Sequence, residues 1–369
     1  MKTLRWGWVL TLACFGLAAH GQILIGQTVG VTGAVAATAS EAVAGARLYI
    51  DSVNAKGGIR GEKIELITLD DKFDVKLAAE NARILIEDKK VLALFLNRGT
   101  PHTQAILPLL EKYDMALVGP STGAMLLHQP VNRHVFNVRS SYQREARKAV
   151  EHLSTVGITR IAVVHVDDSF GLDGLTGTLE GLSKAKLQPA AVLKYARDKP
   201  DLNPIAPALA KADAQAVLWI GSGTVVSDGI KALRASGSAA QVVTLSNNAS
   251  DGFIKQLGKA GVGVIITQVL PSERSYAYPF IAEARTLAQA QKNLALSPAL
   301  LEGFLSAKVM VEALRRASPK PTRQKIISAL DSMHKFDLGG LKVNYSPTNH
   351  TGLDFADLSI VGSDGKFKR

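Results

Sequence analysis

The sequence predicts an α/β protein built as two Rossmann-like lobes, each a parallel sheet covered by helices on both faces. Three observations lead there. Apolar runs of strand length alternate with helical stretches along most of the chain, the pattern that winds parallel sheets. The strand candidates exceed eight, too many for one ordinary continuous sheet, so they divide between two. Near the start, Ile23–Asp74 reads as a β–turn–α–β unit: strand Ile23–Val29, turn Gly30-Val31-Thr32-Gly33, a helix ending near Asn54, and strand Ile64–Leu69 running into Asp70-Asp71.

Taken in order, the remaining strand candidates are Leu92–Leu96, Ala116–Val118, Ile161–Val166, Ala190–Tyr195, Ala216–Ile220, Gln241–Thr244 and Val264–Thr267, with Val135–Val138 also strand-like. Helices are expected between them over Ser40–Asn54, Val75–Glu87, His102–Tyr113, Gln143–Thr155, Leu172–Lys184, Val225–Ser236 and Pro298–Arg316. The break between lobes is placed near Arg139–Tyr142, after the strand-like Val135–Val138.

An export leader precedes the first strand. Lys2 and Arg5 form a short cationic region, Trp6–Ala19 an apolar core, and Ala19 and Gly21 place small residues three and one positions before Gln22. Cleavage after Gly21 is expected, making residues 1–21 a signal peptide. A membrane anchor needs roughly 20 apolar residues, more than this stretch supplies. A lipid attachment at Cys14 is the competing reading, but Thr11-Leu12-Ala13-Cys14 is a poor site with too short an apolar core before it.

The chain has 369 residues, a formal charge of +11 and Cys14 as its one cysteine, so the mature protein is expected to fold without disulfides or thiol chemistry. Basic balance can signal nucleic acid or an anionic surface. Here Lys and Arg are scattered among acids and aromatics are few, so a solvated basic surface is expected, with mild attraction of anionic solutes as the second reading and no nucleic-acid partner.

The first unit also carries a dense set of motif residues: Gly45-Ala46, Asp51, Asn54-Ala55, Gly57-Gly58, Gly61, Lys63, Glu65-Leu66 and Asp70-Asp71, behind the Gly30…Gly33 turn. With these the chain resembles the type I periplasmic solute-binding proteins that serve branched-chain (Leu/Ile/Val) amino acid ABC transporters. The resemblance implies a periplasmic, monomeric binding protein with no cofactor, a multi-strand hinge, and a membrane ABC permease as partner. It also implies that the late helix Pro298–Arg316 crosses back to the first lobe, giving lobe I as residues 22–141 plus 270–352 and lobe II as 142–269 plus 353–369.

Ligands of open parallel sheets bind outside the carboxyl ends of the strands. In the first half, Leu96 leads into Asn97-Arg98-Gly99-Thr100-Pro101, where Thr100 is expected to cap a helix and Pro101 to begin it. Val118 leads into Gly119-Pro120-Ser121-Thr122-Gly123-Ala124. Both loops are expected to present backbone N–H groups and hydroxyls at a helix start, which suits a carboxylate, although either could be ordinary capping. Arg98 and His102 either favour an acidic ligand or simply point to solvent. In the second half, Val166 leads into Asp167-Asp168-Ser169-Phe170-Gly171, Ile220 into Gly221-Ser222-Gly223-Thr224, and Thr244 into Leu245-Ser246-Asn247-Asn248.

The family resemblance assigns roles to these positions. Thr100 falls where a hydroxyl binds the ligand carboxylate, and Ser121, Thr122 and Gly123 form the segment that holds carboxylate and ammonium. Phe170 takes the place of a ring, usually tyrosine before glycine, that covers the ligand. Thr38 stands near the ligand side chain at a position often tyrosine. Asn97, Arg98, Ser222, Ser246 and Asn247 complete the expected cleft. One departure matters: amino-acid binders usually place a glutamate against the ligand ammonium, and this chain has Ser246-Asn247-Asn248 there. A buried ammonium without an anionic partner costs several kcal/mol. The carboxylate end of the ligand is therefore supported, and a free α-ammonium is not expected to be required.

Enzymatic readings are weaker. Gly119-Pro120-Ser121-Thr122-Gly123 matches G-x-S-x-G between a strand and an expected helix. However, no histidine follows Asp354, proline before the serine suits the strained elbow poorly, and only Asp331 with His334 or His350 could complete a triad. The eight histidines form no H-E-x-x-H, and neither Gly-Lys pair follows phosphate-loop spacing. Asp70, Asp71 and Asp74 suggest a solvated strand end rather than a cation site. The expected function is to bind a small carboxylate-bearing solute, a hydrophobic amino acid or an aromatic or aliphatic acid, without catalysis. The alternatives are a ligand sensor that feeds a signalling receptor and a secreted serine hydrolase.

Overall fold

The computed structural model describes residues 21–291 and 294–369. The expected signal peptide, Cys14 included, lies outside the described residues except for Gly21. In chain order the first sheet and its helices are β1 (Gln22–Val29), α1 (Ala36–Ala55), β2 (Lys63–Asp70), α2 (Val75–Glu87), β3 (Leu94–Phe95), α3 (Thr100–Lys112), β4 (Leu117–Val118) and β5 (Val135–Phe136). There follow α4 (Tyr142–Thr155), β6 (Ile161–Val166), α5 (Ser169–Lys184), β7 (Val192–Tyr195), α6 (Ile205–Lys211), β8 (Ala216–Ile220), α7 (Gly223–Ala235), β9 (Gln241–Thr244), α8 (Asp251–Leu257) and β10 (Ile265–Gln268). The chain closes with α9 (Pro279–Ala290), α10 (Pro298–Ala317), α11 (Arg323–Asp331), the short β11 (Phe336–Asp337) and β12 (Lys342–Val343), then β13 (Asp357–Val361) and β14 (Phe367–Lys368).

One sheet has the order β2-β1-β3-β4-β5 and is parallel throughout. The other runs β7-β6-β8-β9-β10 in parallel, then adds β13 and β14 antiparallel at the β10 edge. That antiparallel edge corrects the expectation of purely parallel sheets. Both sheets repeat the doubly-wound order 2-1-3-4-5, so each has its topological switch between its first and third strands, where such folds bind ligands.

Strand composition explains the layering. β6 (IAVVHV) and β8 (AVLWI) are buried along their full length, as strands covered on both faces must be. In the first sheet, α1, α9 and α10 close one face around Phe95, Val118 and Phe136, while α2 and α3 close the other around Leu94, Leu117 and Val135. α10 packs against α1 through reciprocal glycines. A Cβ on Gly45 would stand 1.8 Å from the Leu300 carbonyl oxygen, and one on Gly303 would stand 1.8 Å from that of Ala42. Side chains at either position would force the helices apart.

Three local expectations need correction. α1 begins at Ala36, four residues before the expected Ser40, and its N-cap, Val35, makes no side-chain cap bond. Thr100 does not cap α3: Gly99 does so, in the left-handed region at φ 96°, and Thr100 is the first helical residue. The loop after β4 leads into a single 3-10 turn at Met125–Leu127 and not into an α-helix, so only the β3 loop ends at a true helix start. No helix among the described residues is long and apolar enough to cross a membrane.

Candidate functional site

The carboxyl ends of both sheets face one another across a narrow cleft. Its walls bring together Phe73 after β2, Arg98, Gly99 and Thr100 after β3, Ser121 after β4, Tyr142 at the start of α4, Phe170 at the start of α5, Arg197 after β7, Ser222 after β8 and Asn247 after β9. The free space between them is about 10 Å³, roughly one water. The lobes are therefore shut on each other, and a solute enters only when they part or a lining side chain moves.

Six of the eleven expected site residues line this space: Arg98, Thr100, Ser121, Phe170, Ser222 and Asn247. The other five do not reach it. Asn97 uses its amide to donate to Thr103 Oγ1 at 2.8 Å, and its carbonyl accepts from Ser121 N at 2.8 Å. Thr122 Oγ1 lies 2.7 Å from Thr100 Oγ1, so its hydroxyl is engaged within the first lobe, where it orients that of Thr100. Gly123 turns the chain against Tyr142, whose N–H donates to its carbonyl at 2.7 Å. Thr38 meets Ser250 Oγ at 2.8 Å across the lobes. Ser246 donates its N–H to Glu145 and accepts from Arg139. These five brace the loops that carry the others.

Arg98 and His102 do not point to solvent. Arg98 is 4 % exposed; its guanidinium donates to Ser121 Oγ at 3.3 Å and to the Asn247 carbonyl of the facing lobe. Burial lowers its proton affinity below the usual arginine range. His102 is wholly buried and stacks on Phe73 with ring centroids 4.3 Å apart. Burial brings its pKa down to about 4, so the ring is neutral at physiological pH. From the other lobe, the Arg197 guanidinium lies 5.0 Å above the same Phe73 ring and pairs with Asp168 at 2.5 Å. Phe170 and Tyr142 pack at 4.7 Å to form an apolar wall.

The acidic cluster after β2 also differs from expectation, because Asp71 is buried and not solvated. It accepts from Thr28 Oγ1 at 3.0 Å and from Phe73 N at 2.9 Å, and burial pushes its pKa up to about 6. Asp70 accepts from the Thr32 hydroxyl, and Asp74 caps α2 through Leu77 N. All three hold loop backbone in place. Nor is a triad assembled: His350 uses Nδ1 on the Asn132 and Val135 carbonyls and Nε2 on Asp331, while Ser121 Oγ receives the Arg98 guanidinium.

Sequence reasoning missed Phe73, Gly99, Tyr142 and Arg197. Phe73 and Arg197 follow the carboxyl ends of β2 and β7, where the strand-end rule could have found them. Gly99 and Tyr142 stood inside segments already singled out, but as backbone and helix start respectively.

Two doubly-wound lobes closed over a cleft of hydroxyls, guanidiniums and aromatic rings define a two-lobe solute-binding protein. The periplasmic binding protein family model matches residues 22–364, and the chain belongs to that family. Solved structures agree. A substrate-binding periplasmic protein from Ralstonia solanacearum is 32% identical, with a TM-score of 0.87 over 94% of this chain and 99% of that one. A possible leucine/isoleucine/valine-binding protein from Rhodopirellula baltica SH 1 is 25% identical, with a TM-score of 0.89 over 95% and 97%. Among curated relatives, an amino acid binding protein of Pseudomonas aeruginosa is 24% identical over 62% of this chain, and the match spans 62% of that relative's length.

Proposed function

We propose that this protein is the periplasmic solute-binding component of an ABC importer, and that it binds a small carboxylate-bearing ligand between its lobes without catalysing a reaction. The observation that carries the reading is the convergence of Arg98, Thr100 and Ser121 on one lobe with Ser222 and Asn247 on the other. Donors for a carboxylate stand on the first lobe, rings of Phe73, Tyr142 and Phe170 offer an apolar wall, and the second lobe closes over both. Closure by hinge motion gives a permease one shape to recognise when the ligand is bound.

The leader region supports export, and the family supports a periplasmic setting. A thermal-shift screen against amino acids, aromatic acids, amides and short fatty acids tests the reading, since a ligand that binds only the folded state raises the melting temperature. A carboxylate should give the largest shift. Silence from every carboxylate in the set, with a clear shift from an amide, would sink it.

A further inference from the structure

We propose that Arg98 is the charge partner of the ligand carboxylate, and that this site selects carboxylic acids lacking an α-amino group. This rests on the solute-binding reading above. The starting observation is a buried guanidinium without an ion-pair partner: Arg98 is 4 % exposed, Glu302 and Asp71 act on its charge only from farther off, and no carboxylate among the described residues lies within ion-pair distance of it. Its partners are neutral oxygens, Ser121 Oγ and the Asn247 carbonyl. Burying a charge with only neutral partners is costly, and a fixed cation in that state is one that a bound anion stabilises.

The rest of the cleft agrees in sign. The second cation, Arg197, already has Asp168 at 2.5 Å and so contributes little net charge. No Asp or Glu lines the cavity. A single monoanion therefore balances the site, whereas a zwitterion brings an ammonium next to the Arg98 guanidinium, while Asp168 is already paired with Arg197. The planar guanidinium suits a carboxylate in two-pronged contact. On binding, the carboxylate takes over the guanidinium donors now directed at Ser121 and Asn247, and the three cavity rings receive an aromatic or branched aliphatic body. Because Arg98 bridges the lobes through Asn247, exchanging that carbonyl for the ligand couples binding to the movement of the second lobe.

The test is calorimetry of 3-phenylpropionate, its neutral amide and phenylalanine on wild type, Arg98→Met and Arg98→Lys, with circular dichroism to establish folding. Wild type should bind the acid about tenfold to a hundredfold tighter than the amide. Arg98→Met should bring that ratio close to one by weakening the acid while leaving the amide unchanged. Arg98→Lys, which keeps the charge, should retain a preference for the acid. A folded Arg98→Met that keeps the wild-type ratio overturns the inference while leaving the solute-binding reading intact, as does phenylalanine outcompeting the acid in wild type. Failure of wild type to bind any of the three or any other carboxylate of the thermal-shift set overturns both.

Discussion

Glu41, on the first-lobe helix α1, accepts the backbone N–H of Gly252 at 2.7 Å, at the first turn of the second-lobe helix α8. Its other oxygen accepts from Asp251 N at 3.2 Å and from the Ser297 hydroxyl. A carboxylate from one lobe thus satisfies orphan donors of a helix in the other, with the helix dipole favouring the pairing. Thr38 to Ser250 Oγ at 2.8 Å and Thr224 N to the Ala34 carbonyl at 3.1 Å lie on the same seam. These contacts join the two lobes in the closed form.

Glu41→Gln should therefore weaken ligand binding without touching ligand. Losing one charged acceptor costs roughly 1–2 kcal/mol, or about fivefold to thirtyfold in apparent affinity, because the closed state becomes less populated. Small-angle scattering of the variant should report a larger radius of gyration without ligand. Unchanged affinity and unchanged scattering would show that Glu41 does not hold the lobes together.

Contacts of this kind mark the limit of what the sequence made legible. Local patterns located β6, β8, β9 and α2 to the residue, because each is a short apolar or amphipathic run bounded by clear turn residues. The edge strands β13 and β14 and the short α6 and α8 were not anticipated, since two to seven residues hold too little periodicity. In the site, the loops at strand ends were readable, but which side chain points inward was not. Thr122 and Asn97 turn to neighbours within their own loops, while Arg98 reaches an oxygen 149 residues away in sequence. Tertiary packing decides that orientation, and no local pattern records it.

Thr100→Val and Ser121→Ala should each lower affinity for the bound carboxylate, for different reasons. Ser121 accepts from Arg98, so its loss loosens the guanidinium as well as removing a donor. Thr100 Oγ1 is held by Thr122, so its loss removes a pre-oriented hydroxyl. Each should cost roughly 1.5–3 kcal/mol by calorimetry. Wild-type affinity in both folded variants would move the carboxylate elsewhere.

Glu145→Ala should destabilise the protein by roughly 3–5 kcal/mol, because it leaves a buried cation short of its partner. Arg139 Nη2 donates to Glu145 Oε1 at 2.6 Å, and the next carboxylate, Glu302, is 3.6 Å from Nη1. Both residues of the pair are essentially inaccessible to water, and they join the end of the first sheet to the start of α4. Chemical denaturation reads the loss directly; a change below about 1 kcal/mol would show that the charge is relieved by other groups.

Two opposing trends should appear in stability against pH. Asp71 and Asp173 have pKa values pushed up to about 6 by burial, so their folded forms hold protons more tightly than the unfolded chain. Their contribution is favourable in acid and is lost as pH rises from about 4 to about 6. His102 and His128, brought down to about 4 by burial, act in the opposite sense, favouring folding above about 6.5 and losing that contribution as pH falls. In wild type the two offset each other. Asp71→Asn removes one side of the balance, so its melting temperature should fall more steeply than that of wild type on going from pH 6.5 to 4.5. Parallel curves for the two proteins would contradict the burial of Asp71.

The most direct measurement is the affinity of wild type for matched pairs: leucine against 4-methylpentanoate, and phenylalanine against 3-phenylpropionate. The cleft carries a buried guanidinium without an ion-pair partner in Arg98, and no Asp or Glu lines it. Each acid should therefore bind more tightly than its amino acid. A preference for the amino acids would contradict the charge assignment of the cleft and require an acidic side chain, such as Asp168 or Asp251, to turn toward the ligand ammonium.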